Sequence, residues 1–227
     1  MNFPAILNIL GHVIKYELLL LLIPFAVALF YGQGDASAFL YTILIMLPIS
    51  IILTRVKGKK KEIYAKEGFL TVGLAWIVIS FFGALPFVFN GAIPSFIDAF
   101  FETSSGFTTT GASILTEIQS LPKGILFWRS FTHWVGGMGF LIFILALMPS
   151  FGGNTIHLLK AESPGPTPGK IVPKIKQTAK ILYAIYFVLT VIETIFLKFA
   201  GMSWYDAIIH ALGTAGTGGF SNMNSSV

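Results

Sequence analysis

SFIDAFFETSSGFTTTGAS, residues 95–113, returns 108 positions later without a gap as SWYDAIIHALGTAGTGGFS, residues 203–221. Identities fall at Ser95/Ser203, Asp98/Asp206, Ala99/Ala207, Thr109/Thr217, Gly111/Gly219 and Ser113/Ser221. Each copy lies between or beside long apolar runs. A short helix followed by a Thr/Gly turn, repeated inside a membrane, points backbone carbonyls at a bare cation. The repeat therefore raises an ion pathway as the first reading.

Composition agrees with a bilayer setting. Hydrophobic residues make up 55% of the 227 and charged residues 11%, against roughly 25% charged in soluble domains. Mean hydropathy is +0.79. The absence of cysteine removes disulfide frameworks and thiolate metal sites. Residues 1–11 lack the basic start and small-residue cleavage site of a signal peptide.

About 20 apolar residues cross the hydrocarbon core, and five stretches qualify: 10–31, 36–54, 68–90, 125–149 and 179–200. Segments 94–106 and 203–213 are too short to cross and read as re-entrant helices. The fold class expected is all-α integral membrane, built from helix–pore loop–helix units. One is complete, one is incomplete, and two extra transmembrane helices precede them.

In domain terms, 1–56 is an N-terminal transmembrane helix pair, 57–67 a basic loop and 68–150 the first repeat. Residues 151–173 form a Pro/Gly-rich linker, and 174–227 is a second repeat that stops after its loop. The helix pair has no re-entrant partner and reads as a peripheral addition. Arg55, Lys57, Lys59, Lys60, Lys61 and Lys66 mark one loop, and Lys160, Lys170, Lys174, Lys176 and Lys180 another. The positive-inside tendency makes both cytoplasmic, with the N-terminus cytoplasmic and both Thr/Gly segments entering from outside. The +5 net charge is met by topology and anionic lipid headgroups and asks for no nucleic-acid partner. The linker reads as a solvated connector, or as a docking surface for a cytoplasmic partner.

Each short helix opens with Ser-x-x-Asp, so Ser95, Asp98, Ser203 and Asp206 are expected as caps. The alternative is that the two aspartates recruit cations at the outer mouth. With its N-terminus outside, each helix aims its partially negative end at mid-membrane. Thr108, Thr109, Thr110 and Gly111, and Gly216, Thr217, Gly218 and Gly219, then supply the oxygens that replace an ion's hydration shell. Glycine admits the backbone conformations this requires.

Competing chemistry does not fit. Residues 213–219 are glycine-rich, but no Lys-Ser/Thr follows as in a nucleotide-triphosphate loop. Ser113 lacks a following glycine and an obviously paired histidine, so an intramembrane serine protease is remote. His12, His133, His157 and His210 show no metal-ligand spacing, and no organic cofactor or enzymatic activity is expected. A charge at the bilayer centre costs about 2.5–3.5 kcal/mol. Arg129 is therefore expected to snorkel to the outer interface, with Glu102 as its alternative partner, and Glu193 to face protein. Gly136, Gly137 and Gly139 permit close contact with a loop or helix, or a gate hinge.

The chain resembles the membrane subunit of Trk-type bacterial potassium uptake systems, the TrkH/TrkG proteins of the TrkH/KtrB superfamily. The match is carried by Phe107–Ala112, His133–Gly139, Lys160–Pro166 and Thr217–Ser221. The resemblance implies four helix–loop–helix repeats around one pore, with one glycine per loop central to potassium selectivity. Here those glycines are Gly111 and Gly219, and the resemblance implies that the flanking Thr109, Thr110, Thr217 and Gly218 offer the oxygens that coordinate potassium. It further implies potassium as the transported ion, a homodimer, a TrkA-like cytoplasmic nucleotide-binding regulator and a bacterial inner-membrane location. Two of four loops are present, as in an N-terminal piece of a longer protein. The rival reading is a non-conducting membrane scaffold or regulatory subunit derived from such a transporter.

Overall fold

The computed structural model describes residues 2–56, 65–139 and 175–225, and among these it holds seven helices and no strand. They are α1 Phe3–Tyr31, α2 Ala36–Thr54, α3 Ala65–Asn90, α4 Phe96–Phe107, α5 Lys123–Gly137, α6 Ile175–Phe199 and α7 Trp204–Ala215. Four are long and apolar enough to cross a membrane: α1, α2, Lys66–Asn90 of α3 and Lys180–Phe199 of α6. At 12 residues each, α4 and α7 reach about 18 Å at 1.5 Å per residue, well short of a span of about 30 Å.

Boundaries follow local chemistry. The first helix starts at Phe3, seven residues before the expected position, because Asn2 caps it and Pro4 suits the first turn. It ends at Gly32, whose left-handed φ of 62° lets its amide reach Ala28 O at 2.9 Å. Within the expected span 125–149, α5 ends at Gly137, where Met138 and Gly139, the latter at φ 66°, turn the chain. Three glycines in four positions leave little to hold the helix there. The remainder of that span, the linker 151–173 and most of the basic loop 57–67 lie outside the described residues.

The N-terminal helix pair packs directly on the first repeat. The first two helices form an antiparallel hairpin in which Asn8 Nδ2 donates to Thr54 O at 2.7 Å and Val56 O at 3.1 Å, closing the end of α2. A Cβ on Gly11 would stand 2.7 Å from Leu53 Cβ and Thr54 N, so glycine sets that crossing. The first helix also packs on α3 and α5, sharing a core that includes Ile14, Leu21, Phe87, Ile125 and Trp128. The α1–α2 turn then supplies caps to a distant helix. Gln33 Oε1 accepts from Lys123 N at 2.7 Å and Asp35 Oδ2 from Ile125 N at 3.2 Å. Two of the unpaired amides that open α5 are thereby met.

Candidate functional site

Both short helices begin alike. Ser95 Oγ accepts from Asp98 N at 3.4 Å, and Ser203 Oγ accepts from Asp206 N at 3.1 Å. Asp206 is further engaged: Ser203 Oγ donates to its Oδ2 and Asn222 Nδ2 to its Oδ1, each at 2.6 Å. Its neighbour Tyr205 donates its hydroxyl to Lys123 O at 2.6 Å. Burial pushes that phenol well above the ordinary tyrosine range, so it stays a donor.

Their ends match more closely. Thr109 N bonds Gly106 O at 3.0 Å and Thr110 N bonds Ser105 O at 2.9 Å; Thr217 N bonds Thr214 O at 2.8 Å and Gly218 N bonds Gly213 O at 3.1 Å. This pair of bonds is the Schellman motif, which places one residue in the left-handed region and usually employs glycine there. Here it is threonine twice. Thr109 at φ 55° and Thr217 at φ 57° are the two non-glycine residues with positive φ among those described. A β-branched residue in that region costs about 1–3 kcal/mol.

The alternation continues. In the first loop Thr108 (φ −81°) and Thr110 have negative φ, while Thr109 and Gly111 (76°) are positive. In the second, Gly216 (φ −74°) and Gly218 are negative, while Thr217 and Gly219 (77°) are positive. In the first loop Thr108 Oγ1 donates to Ser104 O at 2.7 Å. With that proton used, Thr110 Oγ1 is the donor in its 2.8 Å bond to Thr108 Oγ1. The second loop has no counterpart, since Gly216 and Gly218 carry no hydroxyl.

The loops lie side by side. A Cβ built on Gly111 would overlap the carbonyl oxygen of Gly218, and one on Gly218 would overlap the His133 ring. Gly219 has open space around it. The close approach expected of Gly136 and Gly137 is present. Gly136 abuts the Phe107 carbonyl, and a Cβ on Gly137 would come within 2.8 Å of Gly216 Cα and Tyr186 Oη. His133 stacks on Phe220 with ring centroids 3.9 Å apart, and its Nδ1 accepts Phe220 N at 3.4 Å.

Arg129 does not snorkel. It is 2% exposed, and its Nε pairs with Glu102 Oε1 at 2.6 Å. The carboxylate also accepts Ser113 Oγ and Ile114 N, both at 2.9 Å. Arg129 Nη1 donates to Ser221 O at 2.8 Å. The repeat register held a signal for this cluster. Position 102 corresponds to 210 and 113 to 221, and His210 Nε2 lies 3.3 Å from Ser221 Oγ just as Glu102 meets Ser113. Glu193 is half-buried on α6, beside Thr214 and His210. Among the described residues no three His, Cys, Asp or Glu side chains converge on one point.

Four long apolar helices, with two short capped helices ending in matched strained turns, define a multi-pass α-helical membrane protein. The chain belongs to the TrkH family, described as cation transport proteins, whose sequence profile matches residues 37–227. It is 43% identical over 230 residues to the Trk system potassium uptake protein TrkH of Escherichia coli K12, covering 100% of this chain and 48% of that one. Against TrkG of the same organism the identity is 31% over 228 residues, covering 98% and 47%. The crystal structure of the potassium transporter TrkH from Vibrio parahaemolyticus matches 100% of this chain and 46% of its own, with a TM-score of 0.82 and 36% identity. The chain spans about half the length of these relatives.

Proposed function

We propose that the protein takes part in potassium uptake, with residues 108–111 and 216–219 as two segments of a carbonyl-lined selectivity filter. One observation carries this reading: φ alternates in sign through both loops in the same order, with left-handed backbones at Thr109, Gly111, Thr217 and Gly219. In a regular strand successive carbonyls face opposite sides. Alternating handedness turns the peptide planes so that consecutive carbonyls face one side, as a dehydrated cation requires. Two strained threonines persist only where the surroundings over-determine them, and strain repeated at equivalent positions fits a shared task.

The ligands in this reading are Thr109, Thr110, Thr217 and Gly218, with the exposed hydroxyl of Thr110 as an added oxygen. The negative ends of α4 and α7 favour a cation beside the loops. The helix–loop units are repeats of potassium-channel type in the inner membrane, with the N-terminus and the basic segments 57–67 and 151–173 on the cytoplasmic side. A homodimer and a TrkA-like regulator complete the assembly.

The test is rubidium uptake in cells that depend on this protein, expressed in its native reading frame. Gly111→Ser should let sodium compete with rubidium at concentrations where it does not compete in wild type. Unchanged ion preference at matched protein abundance overturns the assignment.

A further inference from the structure

Glu102 on α4 and Arg129 on α5 are buried charges, 0% and 2% exposed. Such a pair is expensive to desolvate, and replacing both members with apolar groups is often neutral or stabilising. Its presence therefore calls for a geometric reason, and the bonds at each end supply one. Glu102 grips Ser113 Oγ and Ile114 N, two and three residues beyond Gly111. Arg129 grips the Ser221 carbonyl, two residues beyond Gly219. One continuous path therefore runs Ile114–Glu102–Arg129–Ser221, and it joins the segments that leave the two loops.

The chemistry of the pair suits this task. A guanidinium presents its donors in a rigid fork, so Arg129 Nε and Nη1 fix Glu102 and Ser221 at a set separation. A lysine offers one rotatable point charge and no such spacing. The outgoing segment of the second loop is also held by its ring. Phe220 lies 3.7 Å from Arg129 Cζ and stacks on His133 one turn along α5.

We infer that Glu102 and Arg129 are a positioning pair, which ties the exits of the two loops together and so sets the distance between their rows of carbonyls. The inference rests on the coordination reading of the loops. The pair touches no ion. It acts through Ser113, Ile114 and Ser221, and loosening it widens the space that the loops enclose.

Rubidium uptake with sodium competition tests this in the native reading frame, with membrane abundance measured alongside. The single variants Glu102→Gln and Arg129→Gln should accumulate poorly, since each strands a buried charge or its partners. Glu102→Gln/Arg129→Gln together should restore abundance but not discrimination. Sodium should then compete about tenfold more effectively, the change produced by losing about 1.4 kcal/mol. Arg129→Lys and Ser113→Ala, which disturb folding least, should shift competition the same way. Restored abundance with wild-type ion preference in the double variant overturns the inference. If that variant fails to accumulate, wild-type preference in both Arg129→Lys and Ser113→Ala does so instead. Gly111→Ser in parallel separates the two ideas. A shift there without one in the pair variants removes only the positioning role, while no shift at Gly111 removes the loop reading itself.

Discussion

Gly111 faces the carbonyl oxygen of Gly218 across the two loops, with no room between them for a Cβ. Gly219, its counterpart 108 residues on, has the same left-handed φ, 77° against 76°, but open surroundings. The two glycines are thus required for different reasons. Gly219→Ala meets only backbone strain, about 1–2 kcal/mol, whereas Gly111→Ala adds a collision with main chain that cannot swing aside. Thermal melts of detergent-solubilised protein should show Gly111→Ala as the more destabilising, with a further loss of ion discrimination. Equal shifts would contradict the contact between the loops.

Thr217 allows a cleaner measurement of stored strain. Its φ of 57° is a conformation that glycine adopts freely and a β-branched residue does not. Thr217→Gly removes that penalty but gains unfolded-state entropy, so the net expected gain is about 0.5–1 kcal/mol. The melting temperature should therefore rise while uptake falls, because the pinned loop loosens. A lower melting temperature would mean that the threonine side chain holds more than its backbone costs.

Much of this organisation was legible in the residues, for identifiable reasons. Hydropathy located α1, α2, α3 and α6, and Ser-x-x-Asp located the starts of α4 and α7. Both are local signals, and the structure begins those short helices at Phe96 and Trp204. Arg129 was harder. Topology puts it near an outer end with either solvent or Glu102 to meet it, and only tertiary register shows that Glu102 lies within 2.6 Å. The left-handed threonines ran against propensity, so no composition rule would place them there. The role of the α1–α2 turn was hidden by distance, since Asp35 and Ile125 are 90 residues apart. The structure also stops α5 at Gly137, where hydropathy alone continued it.

Asp35 makes the dependence of α5 on the first hairpin measurable. Its carboxylate is buried, and Oδ2 accepts Ile125 N in the first turn, where Pro122 provides no side-chain cap. Asp35→Ala should cost about 0.5–2 kcal/mol, the usual effect of removing a cap. Asp35→Asn keeps an acceptor and should retain most of the stability. The comparison is read from thermal melts and from proteolytic cutting near residue 122. If alanine and asparagine behave alike, the cap contributes little and the hairpin is held by apolar packing alone.

Glu17 provides the opposite case, a polar group whose removal should help. It is 0% exposed on α1, and neither carboxyl oxygen has a hydrogen-bond partner among the described residues. Around it lie Gly83 of α3 and, through that glycine, Thr103 and Phe107 of α4. A buried polar group without a partner costs about 1–3 kcal/mol, and an unbranched apolar side chain of similar reach fills irregular space well. Glu17→Met should therefore raise the melting temperature by the equivalent of about 1 kcal/mol or more. Glu17→Ala should not, because it opens a cavity against Phe107. Because Phe107 ends the helix that leads into Thr108, rubidium uptake should be followed in the same variants. A stabilised Glu17→Met protein with normal uptake marks the carboxyl as dispensable to transport, whereas a stabilised protein with lost uptake assigns it a working role behind the first loop.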